Sequence, residues 1–303
     1  MYCSHADDVC DSQELFSGVC NHLDDYLLRR IRLVSRAFND RSTFTFGIRF
    51  FTHLVAIPRP DSLAVLLRYA HDQKLSRFVR TVSLSGEIGG SPSIAYVGMP
   101  LSTAEDMLTE ALRNFENLET IRTGSHSYLR LHYLSPEAIG IHCGPERLFS
   151  EQLRCDFAAL SHLFQVMMES IERANICDKI QLDFNLIVVR PSTFNNFSTS
   201  PIQSQLFDLS LPFWKESLSL KVRKVEVVLS ETSEWASNLA ASGSELQELC
   251  LVARTGRVQF HNGHGGLHVW QHLQALVIYG VHINNTAIAD FFNAHQGLWL
   301  VSN

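Results

Sequence analysis

The sequence lacks several features that would place it in a broad functional class. It has 25 Lys and Arg residues against 31 Asp and Glu, so no basic excess is present to attract a nucleic-acid backbone. No uncharged apolar run is long enough to cross a bilayer, and residues 1–11 lack the basic and apolar regions of a secretory signal. The seven cysteines are scattered without a CxxC pair. We therefore expect a cytoplasmic or nuclear protein with reduced thiols that binds neither nucleic acid nor a membrane.

The sequence also lacks the motifs of common catalytic and metal sites. Gly86 to Gly90 follows a predicted strand but has neither GxGxxG spacing nor a GK[ST] ending, and no GxSxG or HExxH motif occurs. Cys250 has no assigned base or cation, so a small, half-buried side chain is the simpler interpretation. Four histidines cluster in a glycine-rich stretch that favours a loop over a metal site: His261, His264, His268 and His272. We predict no enzyme activity, no cofactor and no metal.

Residues 14–39 repeat apolar side chains at helical spacing. Steps of three and four residues put each set on one helix face, which predicts two short amphipathic helices. The apolar positions are Leu15 and Val19 in the first helix, then Leu27, Ile31, Val34 and Phe38 in the second. Asp24 or Asp25 can cap the second helix. A segment of about 40 residues buries too little surface to fold well alone, so this stripe is expected to contact the rest of the chain or a partner.

The same segment resembles an F-box, in the form found in many filamentous-fungal proteins. The matching positions are Leu15, Val19-Cys20, Leu23-Asp24, Leu27-Leu28 and Ile31 to Asn39, of which Arg32 to Asn39 is the most specific block. F-boxes usually open with Leu-Pro-x-Glu, where this chain has Asp11-Ser12-Gln13-Glu14. An ordinary helical hairpin that packs on the following domain is the alternative interpretation.

The resemblance implies that the N-terminal helices bind a Skp-type adaptor, which attaches the protein to the cullin scaffold of a cullin-RING ubiquitin ligase. The remainder of the chain would then bind the substrate. The implied adaptor-binding residues are Leu15, Val19, Leu23, Leu27, Ile31, Val34 and Phe38.

Beyond residue 53 the sequence alternates between strand-like and helix-like segments. Apolar residues recur in the pattern L-x-x-L-x-L of leucine-rich repeats, and the last three steps of 24, 27 and 22 residues lie in the expected range of about 20 to 29. The matches are Val79/Val82/Leu84, Leu118/Ile121, Cys177/Ile180/Leu182, Val222/Val225/Val227, Leu246/Leu249/Leu251 and Leu273/Leu276/Ile278, with partial matches at Leu54 and Leu298/Leu300. Longer steps between the earlier units indicate insertions.

Amphipathic helices are predicted between the strands, at 63–70, 103–115, 157–171 and 288–292. A helix behind each strand would make an α/β chain that forms an irregular leucine-rich-repeat solenoid. The predicted organisation is an N-terminal tail (1–11), an F-box-like helical segment (12–52) and a degenerate leucine-rich-repeat-like domain (53–303) with insertions near 86–100, 124–149 and 190–201. A plain α/β domain with a parallel sheet would show the same alternation.

In a solenoid, the strand residues between core positions line the concave surface, because strand side chains alternate. Their mixture of charged and apolar groups suits protein recognition better than catalysis. The residues predicted to bind a protein substrate are Gln181, Asp183, Lys224, Glu226, Glu248, Cys250, Val277 and Tyr279, and Ser83 and Val252 would share their face.

The sequence therefore predicts a non-enzymatic substrate receptor of an SCF-type ubiquitin ligase. A repeat-type scaffold without ligase coupling would differ only in adaptor binding, and an undetected enzyme would require a pocket with a poised acid, base or nucleophile. The sequence ends within the strand-like Trp299-Leu300-Val301. Because solenoids normally end in a polar cap, we expect a further segment or a partner to cover this strand.

Overall fold

A computed structural model of the chain describes residues 13–85, 87–88, 101–124, 141–142, 154–155, 157–186, 188–191, 197–200, 207–229, 238–239, 241–253, 270–279, 293, 295 and 299–302. The N-terminal helices are α1 (Gln13–His22), α2 (Asp25–Ile31) and α3 (Arg36–Phe51). Three further helices follow: α4 (Pro60–His71), α5 (Leu101–Asn114) and α6 (Phe157–Ala174). A π-helical turn (Trp214–Leu218) and a 3-10 turn (Ser219–Lys221) occur later in the chain.

Strands from the whole length of the chain build the rest of the described structure. They are β1 (His53–Ala56), β2 (Thr81–Ser85), β3 (Glu87–Ile88), β4 (Thr120–Gly124), β5 (Ile141–His142), β6 (Arg154–Cys155), β7 (Gln181–Leu186), β8 (Val188–Pro191), β9 (Phe197–Ser200), β10 (Val222–Leu229), β11 (Glu248–Ala253), β12 (Ala275–Tyr279) and β13 (Trp299–Ser302). β3 pairs with β6, and β8 with β9, as separate antiparallel pairs.

The remaining nine strands form one parallel sheet, in the order β13-β12-β11-β10-β7-β4-β2-β1-β5. From β1 to β13 the spatial order therefore follows the chain order. The exception is β5, which lies on the free side of β1. The prediction of an α/β chain is confirmed at this level, and every predicted strand from Leu54 to Leu300 is present.

The chain enters successive strands in the same way. The N–H of Arg80, just before β2, donates to the carbonyl of Thr52, just before β1, at 2.9 Å. The equivalent bond from Glu119 to Arg80 measures 2.8 Å, as does the bond from Gln181 to Glu119. Toward the other end, Gln247 bonds to Arg223 and Gln274 to Gln247, both at 2.8 Å. The backbone at the start of each of these strands thus bonds to the backbone at the start of the neighbouring strand.

The apolar positions of the repeated pattern form the core. Val82 and Leu84 of β2 are buried, and the register aligns them with Ile121 of β4 and with Leu182 and Phe184 of β7. Helix residues such as Leu66, Leu108 and Phe164 belong to the same buried cluster. Strands alternate side chains between two faces, so one face of the sheet packs on the helices and the intervening residues project from the other.

The helices pack on one another in chain order, α4 against α5 and α5 against α6. Polar contacts join neighbouring helices at their exposed edges. His71 Nε2 lies 3.0 Å from Glu110 Oε1, and the Arg173 guanidinium bonds to the Asp106 carboxylate. Exposed pairs of this kind contribute little to stability, so the packing depends mainly on the buried apolar residues.

The single second helix predicted from Leu27 to Phe38 is wrong. Helix α2 ends at Ile31, residues 32–35 form a turn, and α3 begins at Arg36. Ser35 has an extended backbone and its side chain caps α3, so a new helix begins there and the helical path that the apolar spacing would have continued is interrupted.

Part of the insertion predicted near 190–201 is ordered, because β8 and β9 pair there. The predicted helix at 288–292 lies outside the described residues. So do most of the stretch Gly86 to Gly90 and three of the four clustered histidines, His261, His264 and His268.

Candidate interaction surfaces

Two side-chain caps fix the turns between the N-terminal helices. Asp24 Oδ1 accepts a 2.7 Å hydrogen bond from the N–H of Leu27 at the start of α2. Ser35 Oγ accepts a 3.2 Å bond from the N–H of Phe38 at the start of α3. Each cap satisfies an amide that has no partner within its helix. The chain therefore changes direction at defined residues.

Arg49 of α3 ties the turn between α1 and α2 to the third helix. Its guanidinium donates to the carbonyl oxygens of Leu23 (2.6 Å) and Asn21 (3.1 Å) and lies 3.6 Å from the Asp25 carboxylate. Carbonyl groups at the end of a helix lack intrahelical donors, so a guanidinium satisfies them well. This contact holds α1 and α2 on α3 as one unit.

The predicted adaptor-binding residues fall into two groups. The exposed members are Leu15, Val19, Leu27 and Val34, and the half-buried members are Leu23, Ile31 and Phe38. Leu23 and Ile31 pack against the main core, and the ring of Phe38 lies 5.4 Å from that of Phe16. The half-buried group thus holds the helices together, and the exposed group is what a partner could contact.

Sequence reasoning missed the most exposed apolar residue of this segment. Leu33 lies in the turn between α2 and α3 and is 85% exposed, next to Val34 at 68%. Leu33 falls outside the helical stripe, so periodicity gave no reason to select it. We call Leu15, Val19, Leu27, Leu33 and Val34 the N-terminal apolar surface.

A tight junction fixes the N-terminal helices on the sheet. Helix α3 leads into β1 through Thr52, and its Gly47 lies against the buried ring of Phe78. A Cβ added at Gly47 would approach the ring Cγ to 2.6 Å, well inside van der Waals contact. Phe44 packs edge-on against the same ring, with centroids 5.8 Å apart. The junction therefore has no room for a side chain at position 47.

The sheet register brings the predicted substrate-binding residues together in rows on the face away from the helices. One row contains Ser83, Arg122, Asp183, Lys224 and Glu248, and the next contains Asn185, Glu226, Cys250 and Val277. Tyr279 pairs in register with Val252, one step farther along, and Gln181 lies exposed one step before Asp183. The side chains of Val252 and Tyr279 lie outside the described residues.

Asp183 lies between two arginines from neighbouring strands. Its Oδ2 accepts a 3.0 Å bond from Arg122 Nε of β4, and its Oδ1 is 3.8 Å from Arg223 Nε of β10. The carboxylate is almost fully buried, so a nearby cation is needed to offset its desolvation. Sequence reasoning missed both arginines. The only sign of them in the sequence was that a carboxylate predicted on the concave strand face would need a cation from an adjacent strand.

Lys224 forms a second cluster with two carboxylates. Its Nζ lies 3.0 Å from Glu226 Oε1 and 3.0 Å from Glu248 Oε2. The second oxygen of Glu226 accepts a 2.7 Å bond from Asn185 Nδ2. Burial lowers the pKa of Lys224, but its pairing with the two carboxylates outweighs that effect and raises the pKa. Lys224 therefore remains charged at every physiological pH.

Cys250 lies beside this cluster and is an unreactive thiol by its surroundings. Burial raises its pKa to about 12, Glu226 adds to the increase, and Lys224 opposes it. Near pH 8 we expect its alkylation by iodoacetamide to be roughly tenfold to a hundredfold slower than that of an unfolded cysteine. Mass spectrometry of the peptide containing residue 250, alkylated with and without denaturant, measures this. Equal rates in the two conditions would contradict the assignment.

The described residues contain no group of three or more His, Cys, Asp and Glu side chains arranged to hold a metal ion. Of the four clustered histidines, His272 is described, and its Nε2 lies 3.7 Å from Glu245 Oε1 at the surface. In the same part of the chain, no helix combines the length and the apolar character needed to cross a membrane.

Neither a protein-family model nor a curated protein sequence matches the chain at a significant level. The geometry of the two surfaces and the resemblance of residues 14–39 are therefore the basis for a functional assignment.

Proposed function

We propose that this protein is a substrate receptor of an SCF-type ubiquitin ligase. The N-terminal apolar surface would bind a Skp-type adaptor, and the face of the sheet away from the helices would bind a protein substrate. The observation that carries the proposal is the exposure of apolar side chains on α1, on α2 and in the turn before α3, in a segment held by caps and by Arg49. Exposed apolar groups on a well-ordered scaffold are typical of a protein interface.

The repeat part of the proposal is supported by the strand order. From β1 to β13 the strands lie side by side in the order in which they occur in the chain. Equivalent backbone bonds occur at the start of β2, β4, β7, β11 and β12. A stack of strand-helix units would produce this arrangement, as in an irregular leucine-rich-repeat solenoid. The rows of charged and apolar residues would then line its concave side.

The experiment that tests the proposal is co-expression of the full chain with a Skp-type adaptor, followed by size-exclusion chromatography. We expect the two proteins to elute together in an equimolar complex. Elution of a well-folded chain alone, with the adaptor in separate fractions, would refute ligase coupling.

One observation favours a second candidate, a repeat-type protein-binding scaffold without ligase coupling. The chain has Asp11-Ser12 where an F-box usually has Leu-Pro, and those apolar residues would add to adaptor contact. A scaffold would keep the substrate surface and lose the adaptor. Elution of the well-folded chain without the adaptor would therefore favour this candidate.

A further inference from the structure

The strand face away from the helices is open at one end of the sheet and closed at the other. Val55 of β1, Ile57 just after β1 and Ser83 of β2 are buried, although Val55 and Ile57 lie apart from the main core cluster. On β7 Asp183 retains little exposure, whereas on β11 the Glu248 side chain is 53% exposed. A partner could therefore reach this face at Glu248 of β11 and at the half-buried Ala275 and Val277 of β12.

The chemistry of the face changes at the same place. On β10 and β11 the rows carry Lys224, Glu226 and Glu248. The register continues those rows into apolar residues on the neighbouring strand β12, Ala275 and Val277. Cys250 lies at the boundary, between Glu226 and Val277 in its row. The accessible end thus juxtaposes a charged part with an apolar part.

Negative charge is in excess in the cluster formed by Lys224, Glu226 and Glu248. Glu226 and Glu248 share the single ammonium of Lys224, so these three groups together carry one net negative charge. Burial is the main cause of the raised pKa of the Cys250 thiol, and Glu226 raises that pKa more than Lys224 lowers it. A second cation brought beside Glu248 would find a carboxylate that is exposed and only partly neutralised.

We propose that this boundary binds an extended segment of a partner protein in which a Lys or Arg side chain lies next to apolar side chains. The cation would pair with Glu248, and the apolar groups would cover Cys250 and Val277. Strand-like segments alternate their side chains and so match rows of this kind. The identification of the segment as part of a ubiquitin-ligase substrate rests on the proposed function, but the binding chemistry does not.

The test uses the full chain and a library of short random peptides displayed on phage. We expect selection to enrich Lys or Arg beside Leu, Ile, Val or Phe. Fluorescence anisotropy with an enriched peptide should show binding about tenfold or more weaker for Glu248→Lys. Glu172→Lys, an equal charge reversal at an exposed position of helix α6, should bind like the unmodified chain. Lys224→Gln, if folded by circular dichroism, should bind the peptide more tightly.

Enrichment of acidic peptides, no enrichment, or an equal loss in Glu248→Lys and Glu172→Lys would overturn the proposal. Light scattering that shows self-association abolished by Glu248→Lys would assign the face to a second copy of this chain instead. Adaptor co-elution is measured separately on the same proteins. Peptide binding without adaptor binding would refute the ligase assignment alone, and adaptor binding without peptide selection would refute this inference alone.

Discussion

Changing Leu33 and Val34 together to Asp is expected to abolish co-elution with a Skp-type adaptor. Both side chains are largely exposed in the turn between α2 and α3, so the substitutions should leave the fold intact. In a complex, each new carboxylate would be buried against apolar groups at a cost of roughly 2 kcal/mol or more, which for two sites is a loss of affinity of about a thousandfold. Isothermal titration with purified adaptor would measure it.

The matched control changes Leu211 and Leu220 to Asp. These leucines are 46% and 45% exposed but lie far along the chain, near the π-helical turn. The control should bind the adaptor like the unmodified chain. A similar loss in both variants would mean that added negative charge, and not the N-terminal apolar surface, is responsible. Ile31 is less suitable for such a test because it packs on the core, so Ile31→Asp would also unfold the segment.

Replacing Gly47 by Ala is expected to destabilise the protein although Ala is the better helix former. The added methyl group would overlap the Phe78 ring, which is buried and cannot move freely. Overpacking of this kind costs about 1–3 kcal/mol, against a gain of roughly 0.5–1 kcal/mol from replacing a helical glycine. The net loss should appear as a lower midpoint of thermal unfolding.

The chain offers an internal comparison for this prediction at Gly18. This glycine lies within helix α1, and nothing lies within 4 Å of a Cβ added there. Gly18→Ala should therefore raise the unfolding midpoint by the propensity gain alone. If Gly47→Ala raises it as well, the α3–Phe78 junction is looser than described. If Gly47→Ala lowers the unfolding midpoint less in a Phe78→Leu background than in the unmodified chain, the Phe78 ring is the source of the clash.

The strands of the parallel sheet could be predicted from sequence because each carries apolar residues that the core buries completely. Val82 and Leu84 in β2, and Leu182 and Phe184 in β7, are examples. The pairing of β5 with β1 could not be predicted. It joins residues far apart in the chain through two residue pairs, Leu54 with Ile141 and Val55 with His142, and leaves no periodic trace.

In the candidate sites too, some features could be predicted from sequence and others could not. Ile31, Val34 and Phe38 keep a helical period across the turn, so spacing could not reveal that two helices are present; Ser35 alone marks the break. The positions of Lys224, Glu226 and Glu248 on the strand face away from the helices could be predicted from the alternation of strand side chains. The role of Arg223 did not, because it occupies an irregularity where β10 has one more residue than β7 between paired positions.

The order of the strands also bears on how the protein is made. Each strand of the sheet from β2 onward, β5 included, pairs with a strand that leaves the ribosome before it. A growing chain can therefore add each new strand to a surface that already exists, beginning with β2 on β1, without waiting for distant segments. The edge that awaits a partner moves toward the C-terminus as synthesis proceeds, so β13 is the last of the described strands to pair.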